Sequence, residues 1–184
     1  MPKSLFKNGV YVGPETFEGV LRPESTDPVV SLGNLKRVRG SIDFRNYGHL
    51  RDLGKLEVVN GYMDVEGNQL TTLGNLTLVK GGYLDVSNNH ALHSLGKLMR
   101  VVGTLYIRGT AITSLGDLEV VVGTESYPSS AIIGPDYSTY SLQELQEILE
   151  MLRSVPVGEL SSYLYDPKYA HPLFQYALRD NENI

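Results

Sequence analysis

Residues 53–92 read LGKLEVVNGYMDVEGNQLTTLGNLTLVKGGYLDVSNNHAL, and the second half of this stretch restates the first. Leu-Gly opens each half, at Leu53-Gly54 and Leu73-Gly74. The same pair recurs at Leu32-Gly33, Leu95-Gly96 and Leu115-Gly116, with spacings of 21, 20, 22 and 20 residues. A period held that closely is the mark of a repeat architecture. It predicts a solenoid over residues 32–123, of about four coils of 20–22 residues with a fifth begun.

The apolar residues keep their offsets within each unit. The first has Leu32, Leu35, Val38, Ile42, Phe44 and Leu50; the second has Leu53, Leu56, Val59, Met63, Val65 and Leu70. The third has Leu73, Leu76, Val79, Leu84, Val86 and Leu92, and the fourth Leu95, Leu98, Val101, Leu105, Ile107 and Ile112. Pairs such as Ile42/Phe44 and Leu84/Val86 alternate with period two, which predicts one strand per unit with one face buried. Gly40, Gly61, Gly82 and Gly103 precede those pairs and suit a tight corner. A single coil cannot enclose its own apolar residues, so coils must stack, with strands about 4.8 Å apart in a parallel sheet. The extra residues of the third unit fall at Gly81-Gly82 and between Asn89 and Leu92, and the offsets on either side survive them. Three residues beyond the second strand anchor stand Tyr47, Asn68, Asn89 and Thr110, a position from which a side chain can satisfy backbone groups at a corner.

The pattern Leu-x-Val-x-x-Asn-x-x-Leu over Leu84 to Leu92, and its relative over Met63 to Leu70, resembles a leucine-rich repeat. The preceding Leu-Gly-x-Leu-x-x-Val-x-Gly resembles the compact variant of receptor L domains and of short bacterial or phage repeat proteins. The departures are Tyr47 in place of Asn, the absence of cysteine, and units too short for a helix on the outer side. The resemblance implies an α+β repeat fold: a short right-handed leucine-rich-repeat-like β-solenoid with a parallel sheet, an N-terminal strand cap over residues 1–31 and a helical C-terminal cap within 124–184. It also implies protein binding, of the kind a small bacterial or phage-encoded inhibitor or adaptor performs.

Composition bounds the function. The chain has 184 residues, 41% hydrophobic and 20% charged, with a net charge of −5, so it carries no global basic footprint for nucleic acid. With no cysteine there is neither a thiolate metal site nor a cysteine nucleophile, and a reducing, cytoplasmic setting is expected. No apolar run approaches the roughly 18 residues needed to span a membrane. Phosphate-binding loops, nucleophile elbows and dinucleotide fingerprints are absent, so no enzyme and no cofactor is expected.

Candidate functional residues are the outward strand positions. These are Ser41, Asp43 and Arg45; Tyr62, Asp64 and Glu66; Tyr83, Asp85 and Ser87; and Thr104, Tyr106 and Arg108. Asp43, Asp64 and Asp85 fall in one column, where like charges repel by about 0.8 kcal/mol per adjacent pair even at the dielectric of water. Flanked by Tyr62, Tyr83 and Tyr106, that column reads as an acidic, tyrosine-lined sheet offered to a basic protein partner. Two other readings stand beside it: a solvated face neutralised by Arg45, Arg108 and Lys80, and a column sharing a hard cation. His49, His90, His93 and His171 read as surface or helix-start residues, since no further ligand converges on them.

After Gly123 the repeat is expected to stop. Thr124 to Tyr140 reads as a connection with one buried piece at Ala131-Ile132-Ile133. Ser141 to Glu144 forms a capping box, and Leu142, Leu145, Ile148, Leu149 and Leu152 make one apolar stripe that predicts a helix ending near Ser154. Shorter helices are expected over Glu159 to Tyr165 and from His171 to about Asp180. Seven of the twelve tyrosines lie from Thr124 onward. They suit a cap over the last coil, or a small-ligand site of nucleotide-like type lined by Tyr127, Tyr137, Tyr140, Tyr163 and Tyr165.

Overall fold

The structure of the protein, a computed structural model, describes residues 5–24, 28–123, 132–134 and 139–154, with side chains as far as residue 150. The chain winds into a parallel-sheet β-solenoid of about five turns, followed by a helix. Each repeat unit contributes two strand segments, where the sequence predicts one. A first column stacks the start of Arg37–Asp43, then Val58–Val59, Leu78–Val79, Arg100–Val102 and Val120–Val122. A second stacks the end of Arg37–Asp43, then Met63–Asp64, Tyr83–Asp85, Thr104–Tyr106 and Ile132–Ile133. The valines recur at a fixed offset in the sequence, but each unit has one inward residue here rather than an alternating pair, so no strand is read from them.

In-register stacking aligns like with like. Val38, Val59, Val79, Val101 and Val121 face one another down the first column. Ile42, Met63, Leu84, Leu105 and Ile132 do so down the second, and all five are fully buried. Each such side chain stabilises the fold by roughly 1.5–3 kcal/mol relative to exposure. Between the columns the coils touch through glycine: a Cβ on Gly103 would lie 1.9 Å from the carbonyl oxygen of Gly82.

The Leu-Gly corner has a partner that the sequence reading passes over. The residue before each pair (Ser31, Asp52, Thr72, Ser94 and Ser114) accepts a hydrogen bond from the glycine N–H at 2.7–3.1 Å through its side-chain oxygen. The asparagine position behaves as expected. Asn89 accepts from the Leu70 N–H and donates to the carbonyls of Val65 and Val86. Tyr47, the departure from the pattern, reaches the same target one coil earlier: its hydroxyl accepts from the Val29 N–H at 2.9 Å.

Both ends extend the stack further than the repeat pattern does. Thr16–Leu21 pairs in parallel with Arg37 to Ile42, with Phe17 against Val38 and Leu21 against Ile42, so residues expected to form only a cap make a degenerate coil in register. Ahead of it a hairpin joins Phe6–Lys7 to Val10–Tyr11 through Asn8 and Gly9, at φ 50° and 78°. At the other end, Ile132 takes the place opposite Leu105 although eight undescribed residues, 124–131, intervene after Gly123. Thr139–Tyr140 then pairs antiparallel with Ile132–Ile133, and the helix Leu142–Ser154 follows. Its capping box is in place: the Ser141 N–H donates to the Glu144 carboxylate at 2.8 Å and the Glu144 N–H to Ser141 Oγ at 3.2 Å. Leu145, Ile148 and Leu149 are buried, as the stripe predicts. The two later helices lie outside the described residues. Among the described residues no helix is long and apolar enough to cross a membrane.

Candidate functional site

The second strand column brings the expected residues onto one surface. Pairing sets Asp43 beside Asp64, Asp64 beside Asp85, and Asp85 beside Tyr106. Flanking rows follow from the same register: Tyr62, Tyr83 and Thr104 on one side, and Arg45, Glu66, Ser87 and Arg108 on the other. Tyr62 and Tyr83 stack with ring centroids 5.1 Å apart and planes 12° from parallel. Tyr106 meets Tyr83 edge-on at 6.2 Å.

The aspartates point out of the core, yet they are not a solvated stripe. Asp43, Asp64 and Asp85 retain only 7%, 3% and 7% of their surface, and each meets an arginine guanidinium. Arg45 reaches two of the three, with Nε 3.2 Å from Asp64 Oδ2 and Nη2 3.6 Å from Asp43 Oδ2. Arg108 Nη2 stands 3.6 Å from Asp85 Oδ2 and its Nε donates to Ser87 Oγ. Its guanidinium also lies 5.4 Å from the Tyr106 ring centre. Arg22, which the sequence reading does not single out, pairs with Asp43 from the degenerate coil. Its signal was its position one residue after Leu21, which aligns with Ile42.

Backbone groups hold the carboxylates as well. Asp64 Oδ1 accepts from the Glu66 N–H and Asp85 Oδ1 from the Ser87 N–H, the same two-residue reach in successive coils. The Tyr83 hydroxyl donates to Asp64 Oδ2 at 3.3 Å. Burial, reinforced by the charges of Asp85 and Asp43, raises the Asp64 pKa against the opposing pull of the Glu66 N–H and Arg45. The Tyr83 hydroxyl is pushed up to about 12, first by burial and then by Asp64. Arg45 is held in its charged form by Asp64 and Asp43.

A depression of about 290 Å3 opens on this surface, lined by Arg45, Asp64, Glu66, Tyr83, Asp85, Tyr106 and Arg108. These are seven of the nine residues expected to meet a partner; Asp43 and Tyr62 border it. A second depression, of about 320 Å3, adjoins it across Arg45 and includes Arg22, Asp43 and Tyr47. Carboxylate oxygens of Asp64, Glu66 and Asp85 lie within 4.8 Å of one another, the spacing a hard cation uses. Each is already engaged: Asp64 and Asp85 as described, and Glu66 Oε1 by the Asn88 amide at 3.1 Å.

The tyrosines of the alternative small-ligand site do not assemble in the described residues. Tyr127, Tyr137, Tyr163 and Tyr165 lie outside them, and Tyr140 is buried in the core. A depression of about 140 Å3 between the last coil and the helix is lined by Ser114, Leu115, Gly116, Gln146, Leu149 and Glu150, with no tyrosine. In comparison with known proteins, no family model, no curated protein and no solved structure matches this chain.

Proposed function

We propose that the protein is a non-catalytic interaction module that engages a protein partner through the tyrosine, arginine and carboxylate surface of its second strand column. The reading rests on one observation: seven charged and aromatic residues line a single depression on a rigid parallel sheet. Aromatic and arginine side chains at the centre of a pre-formed concavity are the groups that carry binding energy in protein interfaces. Holding Tyr83 and Tyr106 on paired strands, with Arg45 and Arg108 in the turns just past the strand ends, removes most of the ordering penalty on binding. In this reading the solenoid is right-handed and of leucine-rich-repeat type, and the chain works in the cytoplasm as a small inhibitor or adaptor of bacterial or phage kind.

The carboxylates serve this surface by fixing Arg45 and Arg108, so the groups a partner meets are tyrosine rings, guanidinium edges and Glu66. Affinity capture from native lysate with the wild type and the Tyr62→Ala/Tyr106→Ala double variant tests the reading. A partner retained by the wild type and weakened about tenfold or more in the variant, ~1.4 kcal/mol or greater, supports it. Equal retention by both, with unchanged circular dichroism, would contradict it. Charge reversal at Asp64 or Asp85 is the wrong probe, because a buried ammonium there disturbs folding first.

A further inference from the structure

We propose that a second copy of this chain docks on the free edge of the first coil, extending the sheet head to head through antiparallel pairing of Thr16–Leu21 about a twofold axis at Gly19. The stack is closed unevenly at this end. The hairpin strand Phe6–Lys7 covers Val10–Tyr11 in the corner column. Thr16–Leu21, longer than any described strand but Arg37–Asp43, pairs on one side only among the described residues. The Arg37 N–H donates to the Glu15 carbonyl, so in a parallel ladder the backbone groups of Phe17, Gly19 and Leu21 face the neighbouring coil. Those of Thr16, Glu18 and Val20 then face outward, an edge with no partner strand among the described residues and of the kind that templates strand addition.

Three features select a second copy as the occupant. Pairing about Gly19 sets Glu18 opposite Val20 of the other copy and Thr16 opposite its Arg22, so no like charges stand directly opposite, and Arg39 pairs with Glu18 within each copy. The same pairing sets Phe17 over Leu21 of the other copy and so continues the core across the junction, since both pack against the core on the inner face. Within the stack this corner brings glycine against glycine, as a Cβ on Gly40 would lie 2.0 Å from the Gly19 oxygen and one on Gly103 1.9 Å from the Gly82 oxygen; Gly19 itself has no atom within 4 Å of such a Cβ. Its corner is therefore open to the corner of another copy. Val20, 53% exposed, and Val12, 52% exposed, are two of the three large apolar side chains left in solvent among the described residues, and both belong to this first coil.

Light scattering on the full chain tests the proposal. The wild type is expected at twice the monomer mass, dissociating on dilution. Glu18→Pro removes an outward N–H that no described residue of the monomer accepts, and Val20→Glu places a carboxylate directly opposite Glu18 of the other copy; both are expected to give monomers with unchanged circular dichroism. Met99→Lys, an exposed position in a middle coil, is expected to leave the dimer intact. A monomeric wild type at high concentration overturns the proposal, as when another segment or a different protein occupies the edge. A dimer that survives both edge variants overturns it too.

Discussion

Asp64 sits where burial and hydrogen bonding oppose each other. Its carboxyl pKa is raised, chiefly by burial, above the ordinary 3.8. A carboxyl raised in the folded state binds its proton more tightly there than in the unfolded chain. Its stabilising contribution is therefore present below the ordinary value and lost as pH climbs through the raised one. Asp64→Asn is expected to melt at or above the wild-type temperature at neutral pH, with that advantage shrinking as pH falls through the raised value and gone once pH is below the ordinary 3.8. Melting curves of both proteins across that range check the sign, and a variant less stable at neutral pH would reverse it. Asn89 is the opposite case, since its side chain answers backbone groups from two coils. Asn89→Ala leaves the buried Leu70 N–H unpaired and is expected to lower unfolding free energy by about 1–3 kcal/mol in a denaturant titration. The sequence made Asn89 legible because it recurs at a fixed offset. It left the burial of the aspartates invisible, because period two tells which face a side chain takes but not which neighbours fold over it.

A coil is held by its corners as much as by its strands. Gly103 adopts φ 120°, and a Cβ there would strike the backbone of the coil before it. Gly48 has φ 79° with open space around it. Gly48→Ala is therefore expected to lose only the backbone strain of about 1–3 kcal/mol, while Gly103→Ala loses that and part of the stacking between Gly82 and Gly103. Chemical denaturation of the two variants separates these terms; equal losses would mean the corners are not in close contact. Leu84 tests the strand itself. Leu84→Ala is expected to reduce stability by about 2–5 kcal/mol. Leu84→Asp, which buries a charge with no partner among Met63 and Leu105, is expected to abolish cooperative melting. The second strand of each coil was readable because its inward residues come as an alternating pair, whereas the valine strand offers one inward residue per unit.

Across the whole molecule, the stack is longer than its sequence repeat. Tyr11, Phe17 and Leu21 stand 21 residues before Leu32, Val38 and Ile42, yet Tyr11-Val12 replaces Leu-Gly and hides the first coil. Ile132 completes the last coil behind an insertion that moves it out of the expected offset. Aromatic and apolar residues substitute freely for leucine when only the inward direction is conserved by the geometry, so a search keyed to Leu-Gly finds the middle and misses the ends. The candidate surface was legible in outline, since its columns follow from register alone, and so were Arg45 and Arg108 of its clasp; Arg22 was not, because it lies in the coil the repeat conceals. All of this depends on adjacent coils being in register. The chain has no native cysteine, so paired substitutions report that register directly. Glu66→Cys with Ser87→Cys joins neighbouring positions of one column, about 4.8 Å apart, within reach of a disulfide. Asp43 aligns with Asp64 and Asp64 with Asp85, so Arg45→Cys with Ser87→Cys spans two coils, about 10 Å, beyond that reach. Oxidation is expected to cross-link the first pair readily and leave the second as free thiols; equal cross-linking of both, or of neither, would contradict a stack in register.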